Sequence, residues 1–293
     1  MDGQNSNHHP LPATPPDDKQ LRRRTPWPLA VVAVLFVVVP FIAWYGSWFG
    51  RALSDEQIEE YLQDAGRPRR VQHALSEIER RIAAHDGGVR RWYPQIVTTA
   101  ANPHADIRLT AAWVMGADTR AAEFHEPLLR LLSDAEPSVR RNAALSLVSF
   151  GDARSRAELR AMLRPYTVRA RSAGTALTAL TEGSQVRRDS MLVRFETEPN
   201  VTGELRSPLD GKIERAFIKT GDRFENEQEL FVLAADAVTV GNALVALGRV
   251  GEPDDLTDVE AFARGVEGMP EYVKKQAALT AEAIKRRAAE NQK

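Results

Sequence analysis

The chain contains no cysteine. That excludes disulfides, thiol catalysis, thiolate metal sites and thioether attachment of a cofactor, and it suits any redox compartment. Charge of one sign is not in excess either: 39 Lys and Arg face 40 Asp and Glu, a formal net charge of −1. The chain therefore has no global electrostatic footprint for nucleic acid, and the locally basic stretches Arg67 to Arg70 and Arg187-Arg188 read as solvated faces. Catalytic signatures are missing as well: there is no G-x-S-x-G, no phosphate-cradling G-x-x-x-x-G-K-S/T and no G-x-G-x-x-G. His73, His85, His104 and His125 lack the i,i+4 spacing of a helical zinc site, and His8-His9 sit alone in a Pro- and Asn-rich tail. The sequence assigns no catalytic residue, no cofactor and no metal.

Charge is also absent from Thr25 to Gly50, a run that reads W-P-L-A-V-V-A-V-L-F-V-V-V-P-F-I-A-W-Y-G-S-W-F. About 22 helical residues rising ~1.5 Å each reach ~33 Å, enough for a hydrocarbon layer of ~30 Å. Trp27 at one end and Trp44, Tyr45 and Trp48 at the other suit the two headgroup levels. The expectation is one N-terminal transmembrane helix over 25–50, contacting membrane lipid, behind a disordered cytoplasmic tail over 1–24. Lys19 and Arg22 to Arg24 crowd the N-terminal side. They predict a single-pass protein of the cell inner membrane, its N-terminus cytoplasmic and its C-terminal region periplasmic or otherwise extracytoplasmic.

What is abundant is small residues in a recurring phrase: I-R-L-T-A-A-W from Ile107, V-R-R-N-A-A-L from Val139, N-A-L-V-A-L-G from Asn242 and V-K-K-Q-A-A-L from Val273. Ile107 and Val139 lie 32 residues apart, the length of one helix pair in an α-solenoid. Alanines at equivalent places, Ala111-Ala112, Ala143-Ala144 and Ala277-Ala278, let helix axes approach to the lower end of the usual ~8–10 Å. Gly116, Gly151 and Gly251 are expected to close helices. The pattern resembles the HEAT-like repeats of the phycobilisome-lyase type, over roughly 66 to 183 and 237 to 288, with R-R-V-Q-H-A-L from Arg69 and V-R-A-R-S-A-G from Val168 as degenerate units. That resemblance implies a solenoid surface; some relatives attach bilins and many are scaffolds.

Between Val186 and Asp236 the helical rhythm stops and strand-forming residues take over: M-L-V-R-F-E-T-E from Met191, G-K-I-E-R-A-F-I-K-T-G-D-R-F from Gly211 and E-L-F-V-L from Glu229. Alternation through Ile213, Arg215, Phe217 and Lys219 predicts one buried and one wet face. Ser207 to Leu233 resembles the second half of a biotinyl/lipoyl-type hammerhead, as in acyl carriers and membrane-fusion subunits of export pumps. In that family the modified lysine lies in a sequence like E-T-D-K at a hairpin tip. Here Glu196-Thr197-Glu198 runs into Pro199, so no lysine is available for lipoyl or biotin attachment.

The fold class expected is mainly α: an α-solenoid of HEAT-like helix pairs over 51–185 and 237–293, a small antiparallel hammerhead-like β insert over 186–236, and the transmembrane helix. The function expected is that of a non-enzymatic scaffold or adaptor, membrane-anchored and facing the envelope. It holds a protein partner or membrane complex through repeats and insert, and binds no nucleic acid. An export-pump accessory subunit and a chromophore lyase or isomerase are the alternatives. Candidate partner-binding residues are Arg108, Arg140 and Lys274, repeated cations at one position of three of the four phrases, with Trp92 and Tyr93 as aromatic anchors. Pairing with loop acids such as Asp134 is the competing role for the cations, and packing inside the solenoid is the role expected of Trp113.

Overall fold

The computed structural model describes residues 52–64, 66–198 and 201–291. The chain divides into two units, Met1–Ala52 and Leu53–Lys293. The expected transmembrane segment 25–50 and the tail before it lie outside the described residues. No helix among the described residues is long and apolar enough to cross a membrane. The expectations of a transmembrane helix in the fold and of a single-pass inner-membrane protein are corrected accordingly.

From Leu53 the chain forms five helix pairs: α1 (Asp55–Gln63) with α2 (Pro68–Ala83), α3 (Tyr93–Thr99) with α4 (Ala105–Ala117), α5 (His125–Leu131) with α6 (Pro137–Ser149), α7 (Arg156–Met162) with α8 (Ala237–Val250), and α9 (Leu256–Arg264) with α10 (Glu271–Glu290). Local chemistry sets these starts. Ser54 and Gln57 form a reciprocal capping box at α1, Pro137 occupies the first turn of α6, and Asp236 accepts from the Val238 and Thr239 amides at α8. The second helices stack in order, α2 on α4, α4 on α6, α6 on α8 and α8 on α10. Their buried faces supply two apolar cores, one from Leu53 to Leu147 and one from Ala144 to Ile284.

The repeated alanines sit where the stack closes. Ala111, Ala112, Ala143, Ala144 and Ala277 are fully buried, whereas Ala278 is exposed. The glycines divide by role. Gly151 takes φ +72° beyond the end of α6, as a left-handed cap requires. Gly116 lies inside α4, and a Cβ there would stand 2.4 Å from Ser146 Oγ. Gly251 has φ −66°, and a Cβ there would meet Leu247 O at 2.4 Å. Close approach, not a left-handed turn, explains these last two.

The helical array is interrupted inside its fourth pair. Strands β1 (Tyr166–Arg169), β2 (Gly174–Ala179), β3 (Gln185–Val186), β4 (Met191–Glu198), β5 (Val201–Arg206), β6 (Gly211–Ala216), β7 (Arg223–Phe224) and β8 (Glu229–Ala234) fill the gap between α7 and α8. They form two four-stranded sheets in the orders β1-β8-β6-β3 and β5-β4-β2-β7, antiparallel throughout. The strand block thus begins before the expected boundary at 186, and V-R-A-R-S-A-G from Val168 is a strand and a turn, not a degenerate helix. What was expected as a small insert is a two-sheet module with its own core, including Val193, Ile213, Leu230 and Phe231. A register shift between Ile213 and Arg215 interrupts the expected alternation; Phe217 is 48% exposed and Ile218 is the buried neighbour.

Adding four to each strand number turns one sheet order into the other, so the module has internal two-fold character. Its turns agree. Gly183 and Gly221, 38 residues apart, have φ of 85° and 93°, and their amides donate at 2.8 Å to Ile213 and Ala176 carbonyls. Asp189 and Glu227, again 38 apart, have φ of 67° and 63°. Their amides donate to Ser207 and Ala170 carbonyls at 2.8 and 2.9 Å. Tyr166 pairs with Leu233 across β1 and β8. Entry and exit of the module are therefore neighbours, and α7 and α8 pack as a pair despite the strands between them.

Candidate functional site

The second helices present one face in register. One residue beyond each alanine pair, or beyond Ala243-Leu244 on α8, comes a residue that turns outward: Trp113 on α4 is 59% exposed, Val245 on α8 47% and Leu279 on α10 61%, with Leu145 on α6 half-buried. The next position points inward again. Ser146 Oγ donates to Ala112 O at 2.8 Å, and Thr280 Oγ1 donates to Leu244 O at 2.8 Å. These hydroxyls reach the backbone of the preceding second helix, holding adjacent helices close and the outward residues in one row. Between Trp113 and Leu145 lies a shallow hollow of about 250 Å³, floored by Gly116 and Ser146 and edged by Glu79 and Asn142. Single exposed apolar side chains are ordinary; the same repeat position exposed on three helices and half-buried on the fourth is an organised apolar row.

The expected cations have other work. Arg108 grips Asp134 of the next pair with two hydrogen bonds, Nε to Oδ2 at 2.6 Å and Nη2 to Oδ1 at 2.8 Å, and caps the Asn102 and Pro103 carbonyls. Burial raises the Asp134 carboxyl, but the Arg108 bond and its companions outweigh this and leave its pKa below the usual value. Arg140 donates to Glu158 Oε2 at 3.2 Å and to the Asp134 and Ala135 carbonyls. Both arginines are inter-repeat staples, the competing role foreseen from sequence. Lys274 stays exposed at the start of α10.

Trp92 and Tyr93 are each 1% exposed and cannot anchor a partner. Trp92 packs beneath the Arg81 and Arg91 guanidinium groups, 5.3 and 4.2 Å from its ring centroid. Tyr93 donates its hydroxyl to Asp118 at 2.8 Å, and burial, followed by that bond, raises its pKa. Trp113, which had been expected inside, is exposed instead. Sequence alone set Trp92 and Tyr93 apart as an adjacent pair, whereas alignment of the A-A-W, A-A-L and A-L-V triplets carries the signal for the row.

Tyr93 opens a second series, since the first residues of α3, α5 and α7 each reach into the next loop. Tyr93 bonds Asp118, His125 Nε2 lies 2.7 Å from Asp152 Oδ2, and Arg156 Nε donates to Asp255 Oδ2 at 2.8 Å. Asp152 also binds Arg154, and that side chain first, with the Arg154 amide and His125, holds its pKa down to about 2 from 3.8. A lowered carboxylate stabilises the fold above its unfolded pKa, and this is lost as pH falls through the folded one. Asp152→Asn should therefore flatten the decline in stability between pH 4 and 2 in acid titrations of urea unfolding. The effect is roughly 1 kcal/mol once screening at the exposed Arg154 is allowed for.

Comparison with known proteins adds the following. Residues 94–178 match the family of HEAT repeats. No curated protein matches. Among solved structures, a chain described as a single-chain, multi-domain long-chain acyl-CoA carboxylase is similar at 20% identity and a TM-score of 0.23. The match covers 38% of this chain and 10% of that one. The matched segment begins in α3 and contains the Arg108–Asp134 staple and the first two members of the outward row, Trp113 and Leu145. Over this segment the chain is similar to HEAT repeats, elements that stack into extended binding surfaces.

Proposed function

We propose that this chain is a non-enzymatic adaptor that holds a protein partner along the outward face of its second helices. The β module supplies a second contact element. The observation that carries the reading is the row Trp113, Leu145, Val245 and Leu279, held in line by Ser146 and Thr280. An exposed tryptophan beside a hollow, framed by small and polar residues, has the make-up of an interface hot spot.

The module supports the second role. Its paired sheets and internally repeated turns support reading the whole of Tyr166 to Ala234, and not only Ser207 to Leu233, as hammerhead-like. In an acyl carrier the β4–β5 tip would bear a lysine, but the sequence there is Glu196-Thr197-Glu198-Pro199-Asn200. The module is thus read as a binding scaffold without a swinging cofactor. It is fastened to the helices by Arg171 to Glu136 at 2.8 Å and by Arg188 to Asp106.

The test is a charge placed in the row. Trp113→Asp with Leu279→Asp should reduce retention of the partner at least tenfold in reciprocal co-purification, with an unchanged unfolding midpoint because both positions are solvent-facing. Phe217→Asp, on the exposed surface of the β module, serves for comparison. Equal retention by wild type and the double variant would remove the row from the reading.

A further inference from the structure

Arg141 lies at the seam between helices and strands with nothing to hold. Its residue is 9% exposed, its Nε is buried without a hydrogen-bond partner, and no ion pair involving it exists among the described residues. Burial, the largest influence, pushes its pKa down, while Glu158 and Asp236 at longer range act against this. A guanidinium removed from water and left unpaired is strongly unfavourable. The group nevertheless opens onto a cavity of about 410 Å³ that Arg140, Glu158, Arg160, Arg164 and Tyr166 also line.

The neighbouring groups are already engaged. Glu158 accepts from Arg140 at 3.2 Å, Arg160 stands 3.4 Å from Asp255 Oδ1, and Arg164 bonds Asp258 at 2.8 Å. Four guanidinium groups and one carboxylate face the cavity, and the buried one is the one without a partner. We propose that this cavity is a binding site for a small oxyanion of the phosphate class, with Arg141 as its primary contact and Arg140, Arg160 and Arg164 around the rim. The fork of N–H donors on a guanidinium matches phosphate oxygens in pairs. The surplus of cations favours a multiply charged anion over a single carboxylate. Because Tyr166 and Thr167 of β1 form one wall, an occupant would touch both the repeats and the β module.

Titration calorimetry of the full chain with inorganic pyrophosphate tests this at 0.15 M salt, with inorganic phosphate and citrate as further probes. Saturable 1:1 binding of pyrophosphate is expected, at least tenfold weaker in Arg141→Gln and unchanged in Arg249→Gln, which removes an exposed cation elsewhere. Arg164→Gln, at an exposed rim position, should weaken binding severalfold and provides the reading if Arg141→Gln does not fold. Without ligand, Arg141→Gln should unfold at or above the wild-type midpoint, since it removes an uncompensated buried charge. The proposal is overturned by absence of saturable binding to wild type, by undiminished binding to Arg141→Gln, or by a lowered midpoint of the folded, unliganded variant. Tighter binding of citrate than of pyrophosphate would overturn the phosphate assignment.

Discussion

Asp255→Ala should lower the free energy of unfolding by about 3–5 kcal/mol, the usual effect of stripping one partner from a buried ion pair. Asp255 is fully buried. It accepts Arg156 Nε at 2.8 Å, faces Arg160 Nε at 3.4 Å, and accepts the Glu252 amide at 2.8 Å. Arg156 comes before the β module and Asp255 after it, so this pair ties the solenoid across its own interruption. The alanine variant leaves Arg156, 16% exposed at its side chain, without its buried counter-charge. Urea unfolding followed by helical circular dichroism measures the loss. The pair of changes Arg156→Met and Asp255→Leu should recover most of it, because replacing both ions by apolar groups removes the unpaired charge. A loss below about 1 kcal/mol for Asp255→Ala would show that the two helical stretches are joined by something else.

Gly116→Ala should cost about 2–3 kcal/mol, the upper range for an overpacked contact. The added carbon would sit 2.4 Å from Ser146 Oγ, 2.7 Å from its Cβ and 3.1 Å from its Cα. Two of these contacts belong to a side chain that can be removed; the third is backbone. Gly116→Ala combined with Ser146→Gly should therefore recover part of the loss, beyond the sum of the two single changes, as expected for residues in direct contact. Strictly additive losses in thermal unfolding would mean that α4 and α6 do not meet at this point.

Much of the architecture was legible because helix stacking imposes a size rule on sequence. Alanines recur where second helices touch, and five of the six named ones are buried. Arg108 pairing with Asp134 was legible too, since a cation one turn into a helix and an acid in the following loop recur with the repeat. The start of the β module was hidden. Val168-Arg169-Ala170 imitates the opening of a repeat helix, and only the 38-residue echo between Gly183-Ser184 and Gly221-Asp222, with Leu192 answering Leu230, marks the first half of the module. That echo keeps a glycine and a leucine but changes Ser184 to Asp222 and Asp189 to Glu227, so what is shared is mainly turn geometry, which hydropathy does not reveal.

The partner-binding candidates failed for a related reason. Repetition of a cation signals a shared job, and for Arg108 and Arg140 the job is internal, linking one helix pair to the next, while Lys274 stays exposed. Trp92 and Tyr93 are paired in sequence at the entry to α3, where the chain turns into the core, so both rings are enclosed. Trp113 stands beside two buried alanines on a helix, and rotation by one residue, about 100° at 3.6 residues per turn, carries it from the packed face to the open one. The anchor expected over 25–50 lies beyond the described residues, and none of the described helices is both long and apolar enough to cross a bilayer.

Photo-crosslinking of the full chain, with a photoreactive amino acid placed at 113, 279 or 217 in turn, tests the adaptor reading most directly. The account predicts one shared protein adduct from positions 113 and 279, abolished in either case by an aspartate at the other position, and a different or absent adduct from 217. Adducts of the same composition and yield from all three positions, or none from 113 and 279, would contradict it.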